Sequence, residues 1–223
     1  MNLTELRMPE YPLQADLYAP DGATNELPLL IYLHGAGERG TNIEHVYRHG
    51  IPKLIKEGRS IAAFVLCPQC PAEFVWHNLV RELKSLIDAV AAKWQIKSDR
   101  ICITGGSMGG FGTWEMALTY PNFFSAAAPV CGGGTSWRCG KLASLPVKAY
   151  HGTADTVGPI TYSELMVDAI NAAGGHAELV RLDGRDHEQG INEPYESGDL
   201  IDWILSKRRT NFERIKETCE EMF

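Results

Sequence analysis

A serine between glycines is the first feature of the sequence that could do chemistry. Gly105, Ser107 and Gly109 stand in the pattern G-x-S-x-G. This pattern is typical of a sharp turn from a strand into a helix, where larger neighbours would clash and the serine side chain is pushed out of the fold. A strand-like run at residues 100–104 precedes the turn, and a helical pattern follows from Phe111. The context predicts that Ser107 is a nucleophile at the N-terminus of a helix.

A base and an acid for this serine stand later in the chain. A serine hydroxyl is a weak nucleophile, and it needs a base that a carboxylate orients. Asp155 follows the apolar run 147–150, and His187 follows a run that ends near Leu182. Both follow the ends of predicted strands, where an active edge is expected, so we predict a triad of Ser107, His187 and Asp155. The alternative carboxylates lie so close to His187 in sequence that they are less suited to reach the back of its ring: Asp183, Asp186 and Glu188.

The other histidines are expected to have no catalytic role. His34 and His151 each precede a glycine at the end of a predicted strand, and we expect them to hydrogen-bond loop backbone. His45, His49 and His77 fall at polar positions and are expected to be solvated. Because no pair of histidines has a spacing typical of zinc ligands, we predict no metal.

Acyl transfer also needs backbone donors for the oxyanion of the tetrahedral intermediate. One donor is the N–H of the residue after the nucleophile, here Met108. The second is expected in the loop HGAGERG, which follows the apolar run LLIYL and has the small residues that allow close approach. We assign it to Ala36, with Gly37 as the alternative.

The elements that must position these residues alternate along the chain. Short apolar runs predict buried strands, and apolar residues at helical spacing predict amphipathic helices between them. We therefore predict an α/β fold, a mostly parallel sheet covered by helices on both faces, whose ligands bind at the carboxyl ends of the strands. The predicted strands are 29–33, 61–67, 101–104, 126–130, 147–150 and 176–182. The predicted helices are 79–94 with Asn78 as N-cap, 162–173, and a third around 200–204.

Several stretches of the sequence resemble one superfamily. The segments LHGAGERG, CPQCP, GGSMGGFGTW, PVCGGG and HGTAD are similar to those of α/β-hydrolases. Within them the chain resembles the small prolyl-oligopeptidase-like or dienelactone-hydrolase-like esterases, which are catalogued as predicted peptidases or phospholipase/carboxylesterases and are related to feruloyl and acetyl-xylan esterases. The resemblance covers roughly residues 15–206. It implies a sheet of about eight strands, the Ser107–His187–Asp155 triad, no cofactor and ester hydrolysis.

The sequence departs from these relatives in two features that affect the predicted substrate site. Relatives tend to carry an aromatic residue soon after the histidine, and this chain has Glu188 and Gln189 there instead. The chain also has no large cap insertion before Asp155, which predicts an open cleft. Two aromatic residues near strand ends, Trp76 and Trp137, are candidates for lining it, and such walls suit a phenolic or sugar-linked ester.

The expected function is that of a serine carboxylesterase. Its substrates would be small, aromatic or carbohydrate-linked esters, hydrolysed through an acyl-enzyme on Ser107. The alternatives within the enzyme class are a thioesterase, a lysophospholipase or a small peptidase. A catalytically inactive hydrolase fold that acts as a binding module is the alternative outside it.

The amino-acid composition restricts the binding partners and the cellular compartment that can be expected for the protein. The 223 residues carry a formal net charge of −7, and such an acidic domain has no electrostatic footprint for nucleic acid. The longest apolar runs are too short to span a bilayer, and the N-terminus lacks the apolar core of a signal peptide. We expect a cytoplasmic protein, or a secreted one if a signal peptide has been removed.

The C-terminal stretch is predicted to be separate from the main domain. We predict a hydrolase domain over residues 1–206 and an amphipathic helical extension over 207–223, which docks on its own domain or forms a homodimer contact.

The cysteines are expected to be packing residues. Cys67 and Cys70 have CxxC spacing, but they lie in an apolar context, and we interpret them as packing residues. In an exported protein, Cys131 and Cys139 would be the pair expected to bond.

Overall fold

Eight strands form one sheet in the computed structural model, which describes residues 2–7 and 13–210. In chain order the strands are β1 (Asn2–Arg7), β2 (Gln14–Ala19), β3 (Leu29–Leu33), β4 (Phe64–Gln69), β5 (Ile101–Gly106), β6 (Ala126–Val130), β7 (Lys148–Gly152) and β8 (Glu178–Leu182).

The order of the strands across the sheet is β1-β2-β4-β3-β5-β6-β7-β8. The six neighbouring strands β4, β3, β5, β6, β7 and β8 run parallel to one another. Strand β2 pairs antiparallel with β4, and β1 pairs antiparallel with β2 at the edge of the sheet. The register pairs Leu29 with Ile101 and Leu33 with Gly105. The ends of β3 and β5 therefore lie side by side, and the loops that follow these two strands meet at one edge.

Within the described residues, six α-helices cover the sheet. They are α1 (Gly50–Lys56), α2 (Val80–Lys93), α3 (Met108–Thr119), α4 (Thr161–Ala172), α5 (His187–Ser197) and α6 (Asp199–Leu205). Short 3-10 helices lie between them, among which are Ala36–Glu38, Trp76–Leu79 and Ser136–Leu142.

The continuous apolar run of β3 shows why helices are needed on both faces. All five of its residues are buried. Leu29, Ile31 and Leu33 belong to one hydrophobic cluster, with side chains of α2, α3 and α4, whereas Leu30 and Tyr32 belong to a second, with side chains of α1, α5 and α6. A strand that is apolar on both faces is stable only between two such layers. The predicted α/β class and the mostly parallel sheet are confirmed, and the described residues are compatible with the expected lack of a large cap.

Most predicted elements are present, with shifted boundaries. The strand predicted at 61–67 begins only at Phe64, and the helix predicted to follow Asn78 begins at Val80 after a 3-10 turn. Asn78 is not the N-cap of that helix, because its side chain accepts a hydrogen bond from the N–H of Val75 and so caps the 3-10 turn instead. The sequence patterns did not predict β1, β2, α1 or α5.

The C-terminal prediction lies mostly outside the described residues. Residues 207–210 have no regular structure, and residues 211–223, the rest of the predicted amphipathic extension, lie outside the described residues. The division into a domain over 1–206 and an extension over 207–223 therefore stays a prediction. Within the part of the chain that is described, no helix has the length and apolarity needed to cross a membrane.

The close contact between α3 and β3 gives a test of the fold. A Cβ added at Gly109 would overlap the Leu33 carbonyl, whereas one added at Gly37 would meet no atom within 4 Å. Gly109→Ala is expected to cost at least about 3 kcal/mol of unfolding free energy, because backbone must move to admit the methyl group. Gly37→Ala, the matched control, is expected to change it by less than about 0.5 kcal/mol. Denaturant unfolding measures both, and equal stability of the two variants would contradict the packing described.

Candidate active site

Ser107 lies in the tight turn between β5 and α3. Its backbone has φ 55° and ψ −120°, a conformation that residues with side chains rarely adopt. The turn is held by close backbone contacts on both sides, since a Cβ at Gly105 would lie 2.5 Å from the Leu33 carbonyl oxygen and one at Gly109 would overlap it. The strained conformation is thus fixed by its surroundings, which is common at functional sites.

A chain of two hydrogen bonds joins three side chains at the carboxyl edge of the sheet. His187 Nε2 lies 2.9 Å from Ser107 Oγ, and His187 Nδ1 lies 2.6 Å from Asp155 Oδ2. Because an ionised carboxylate can only accept, Nδ1 carries a proton and Nε2 is left to accept the proton of the serine hydroxyl. The structure therefore brings together the three residues predicted as a triad, in an arrangement that can activate the hydroxyl.

Asp155 is buried and held by several donors. Its Oδ1 accepts hydrogen bonds of 2.9 Å from the backbone N–H groups of Val157 and Gly158. Burial acts to raise the pKa of the Asp155 carboxyl, but hydrogen bonds from His187 and from these two N–H groups outweigh it and hold the pKa below its usual value. The carboxylate consequently remains ionised at neutral pH behind the imidazole.

His187 is the first residue of α5. Asp186 precedes it as N-cap and accepts from the Gln189 N–H at 2.9 Å, while the Gln189 side chain accepts from the Asp186 N–H. This capping box, readable in the sequence as D-x-x-Q, is the signal that could have identified α5. It also engages Asp186, one of the alternative carboxylates. Another, Asp183, accepts from the Thr153 hydroxyl.

The loop after β3 runs beside the serine. A Cβ on Gly35 would lie 3.7 Å from Ser107 Cβ, so the backbone of this loop is adjacent to the nucleophile. Ala36 and Gly37 follow in an exposed 3-10 turn, and Met108 opens α3 on the other side of the serine. The first N–H groups of a helix have no partner within it, so Met108 can supply a backbone donor at this position.

His34 fixes the start of that loop. Its Nε2 accepts from the Cys70 N–H at 3.0 Å, which requires the Nδ1–H tautomer, and Nδ1 lies 2.6 Å from the Gly35 carbonyl oxygen. Burial lowers the pKa of His34 to about 4 and so preserves the neutral ring that can accept from Cys70. The structural role expected for His34 is therefore what its contacts show.

Trp76 does not line a cleft, contrary to expectation. Its side chain is 0 % exposed, and its indole N–H donates to the His34 carbonyl oxygen at 2.9 Å. The indole packs on Gly112, where a Cβ would lie 2.6 Å from Trp76 Cβ. The sequence position near a strand end was correct, but the ring points into the core and supports the loop beside Ser107.

Three other aromatic side chains reach the protein surface to different extents. Trp137, the second candidate, is 82 % exposed on the 3-10 helix Ser136–Leu142. Phe111, which follows Ser107 by one helical turn, is only partly buried and packs edge-to-face on Tyr162 at 5.8 Å between ring centroids. Tyr162, which the sequence did not single out, is the second residue of α4 and is exposed.

The cysteines are free thiols in the described part of the chain. Cys67 and Cys70 are both buried, and they belong to the two different hydrophobic clusters on opposite faces of the sheet. Their sulfur atoms therefore do not converge on one ion, in agreement with the packing interpretation. Cys131 and Cys139 are not bonded to each other.

One group of potential metal ligands occurs among the described residues. Ligand atoms of Cys131, His151 and Asp155 lie within 4.8 Å of one another, and all three residues are buried. Asp155 Oδ2 is bound to His187, and His151 Nε2 lies 2.7 Å from the Gly158 carbonyl oxygen, which can only accept. The atoms that would hold an ion are thus engaged in hydrogen bonds, and this group does not fit a metal.

Comparison with known proteins agrees with the fold. Residues 77–139 match the sequence model of the prolyl oligopeptidase family. Poly(3-hydroxyalkanoate) depolymerase C of Paucimonas lemoignei is 30% identical over 136 residues, which are 54% of this chain and 31% of that protein. The chain spans less than a third of the length of the curated relatives that it matches.

Solved structures cover the chain more completely. A thermostable esterase is 26% identical with a TM-score of 0.79, over 93% of this chain and 63% of that one. A feruloyl esterase module from Clostridium thermocellum, crystallised with sinapinate, is 14% identical with a TM-score of 0.73, over 96% and 91% of the two chains. The eight-stranded sheet, the serine turn after β5 and these matches together show that the chain has the α/β-hydrolase fold that its sequence resembles.

Proposed function

We propose that the protein is a serine esterase that hydrolyses carboxylic esters through an acyl-enzyme on Ser107. The observation that carries this proposal is the hydrogen-bonded chain from Ser107 through His187 to Asp155. The His187 side chain is 19 % exposed and that of Asp155 is 0 % exposed. A substrate can therefore approach the serine, while the carboxylate behind the ring stays shielded from water.

The geometry suggests the following sequence of steps. His187 Nε2 takes the proton of the Ser107 hydroxyl as Oγ attacks the ester carbonyl carbon, and Asp155 stabilises the imidazolium that forms. Backbone N–H groups of Met108 and of Ala36, or alternatively Gly37, hold the oxyanion. When the tetrahedral intermediate collapses, the C–O bond to the alcohol breaks and His187 returns the proton to that alcohol.

Deacylation repeats these steps with water. His187 removes a proton from the water that attacks the acyl carbon, and a second tetrahedral intermediate forms in the same oxyanion site. Its collapse releases the carboxylic acid and restores the Ser107 hydroxyl. All of these steps use side chains and backbone groups of this chain.

The surroundings of the serine favour a small ester with an aromatic or carbohydrate part. The partly exposed pair of Phe111 and Tyr162 offers a ring surface one helical turn from Ser107, and Trp137 offers another exposed ring. Aromatic rings of this kind pack on phenolic groups and on the apolar faces of sugars. The match to a polyhydroxyalkanoate depolymerase adds hydroxyacid esters to the candidates.

A panel of esters tests this substrate class. Acetyl, butyryl, feruloyl, 3-hydroxybutyryl and long-chain acyl esters are compared by kcat/KM, together with an acyl thioester, a lysophospholipid and a peptide amide. Short or aromatic esters are expected to give the highest values. A preference for the thioester, the lysophospholipid or the amide would replace the esterase proposal with the corresponding alternative.

The nucleophile is tested by covalent labelling. A fluorophosphonate probe is expected to modify Ser107 in the wild type, because only an activated serine reacts with it, and peptide mapping by mass spectrometry locates the adduct. Ser107→Ala is expected to abolish labelling and to lower kcat on the order of 10⁶-fold. A folded wild-type protein that resists the probe would instead support the inactive binding module.

The carboxylate is tested by an isosteric change. Asp155→Asn is expected to lower kcat on the order of 10⁴-fold, because the amide favours the wrong imidazole tautomer. Asp186→Asn is the matched control, since asparagine also serves as an N-cap, and its kcat is expected to stay within about twofold of the wild type. If Asp155→Asn costs less than about tenfold, another carboxylate orients His187.

A further inference from the structure

The residue that follows β6 has a backbone conformation suited to glycine and carries a side chain instead. Cys131 has φ 47°, in the left-handed region, and it is fully buried. Glycines occupy the next three positions, 132–134. If backbone freedom were the only need here, glycine would serve better, so the cysteine side chain itself has a role at this position.

The sulfur lies between the elements that carry Asp155 and His187. Its Sγ lies within 4.8 Å of a carboxylate oxygen of Asp155 and of a ring nitrogen of His151. A Cβ added at Gly190, in the first turn of α5, would lie 2.8 Å from Sγ. Burial raises the pKa of Cys131 to about 12, so the thiol keeps its proton and can donate it to the carboxylate.

His151 approaches the same carboxylate from β7. Its side chain is fully buried, with Nε2 2.7 Å from the Gly158 carbonyl oxygen and 3.3 Å from Asp155 Oδ2. Because the carbonyl oxygen only accepts, Nε2 carries a proton, and Nδ1 faces the Ser163 hydroxyl at 2.8 Å. Burial lowers the pKa of His151 and favours its neutral form.

We propose that Cys131 and His151 are positioning residues that hold the Asp155 carboxylate from its buried side, so that Oδ2 faces His187 during the reaction. The inference rests on the proposed esterase function. Titratable groups face Asp155 from three elements: Cys131 after β6, His151 on β7 and His187 on α5. Donors on the buried side of a carboxylate oppose its rotation, and they share its negative charge, which limits how strongly it stabilises the His187 imidazolium.

The thiol donor is tested by a pair of substitutions at Cys131. Cys131→Ala removes the donor and is expected to lower kcat about tenfold with KM within about twofold. It is also expected to raise the midpoint of the acid limb of kcat/KM by about half a pH unit, because a carboxylate that has lost a donor favours the imidazolium. Cys131→Ser keeps a donor and is expected to restore kcat to within about threefold, with the acid limb unmoved.

Two further variants separate positioning from packing. Cys102→Ala removes another buried thiol, whose sulfur lies 3.6 Å from the Leu29 carbonyl oxygen at the far end of the sheet, and its kinetics are expected to match the wild type. His151→Phe removes the second donor and is expected to lower kcat and to raise the acid midpoint, as Cys131→Ala does. If Cys131→Ala and Cys131→Ser lose the same activity, or if no variant moves the acid midpoint, these residues only fill space and the proposal is wrong.

A different experiment would show that the esterase proposal, rather than the positioning role of Cys131, is wrong. In that case the wild type would not be labelled at Ser107. The proton shared by His187 Nδ1 and Asp155 can still be observed by NMR as a far-downfield resonance. That resonance is expected to shift or broaden in Cys131→Ala and to persist in Cys131→Ser, whether or not the protein turns over an ester. An unchanged resonance in Cys131→Ala would overturn the positioning role by itself.

Discussion

The contact between the first turn of α3 and the end of β3 is the constraint on which the site depends. Gly109 packs so closely on the Leu33 carbonyl that no side chain fits, and Gly105 meets the same oxygen from β5. With its neighbours pressed against the sheet, Ser107 is left with a left-handed conformation that turns its side chain outwards. The strain at one residue is balanced by the burial of both faces of the sheet, so the hydroxyl is placed by the core rather than by a flexible loop.

A second constraint is the burial of a charge behind the imidazole. An ionised carboxylate in the interior is stable only when donors surround it. Asp155 has backbone N–H groups on one oxygen and His187 on the other, and the pKa of its carboxyl is held below the usual value despite burial. These donors come from its own loop and from α5, and two further side chains lie close by, Cys131 directly after β6 and His151 on β7. The orientation of the base therefore depends on how these elements are packed together.

The loop after β3 shows how distant parts of the chain support one position. Its His34 is held by the Cys70 N–H, and the His34 carbonyl by the Trp76 indole. Gln69 donates to the carbonyls of Glu38 and Asn42 and fixes the far end of the loop. The end of β4 and the segment that follows it thus hold the backbone beside Ser107 in place. This supporting role explains why Gln69 and Trp76 are buried. The sequence had instead suggested that Trp76 faces a substrate.

The sequence by itself determined the α/β class, the serine turn and the three strand-end residues Ser107, Asp155 and His187. Apolar runs on a parallel sheet must be buried on both faces, and side chains that follow such strands must gather at one edge. Only the tertiary structure decided that Trp76 points inwards and that Cys131 lies behind Asp155. Those outcomes depend on the direction in which side chains leave loops and short turns. Sequence periodicity does not encode that direction, because it is fixed by the packing of elements far apart in the chain.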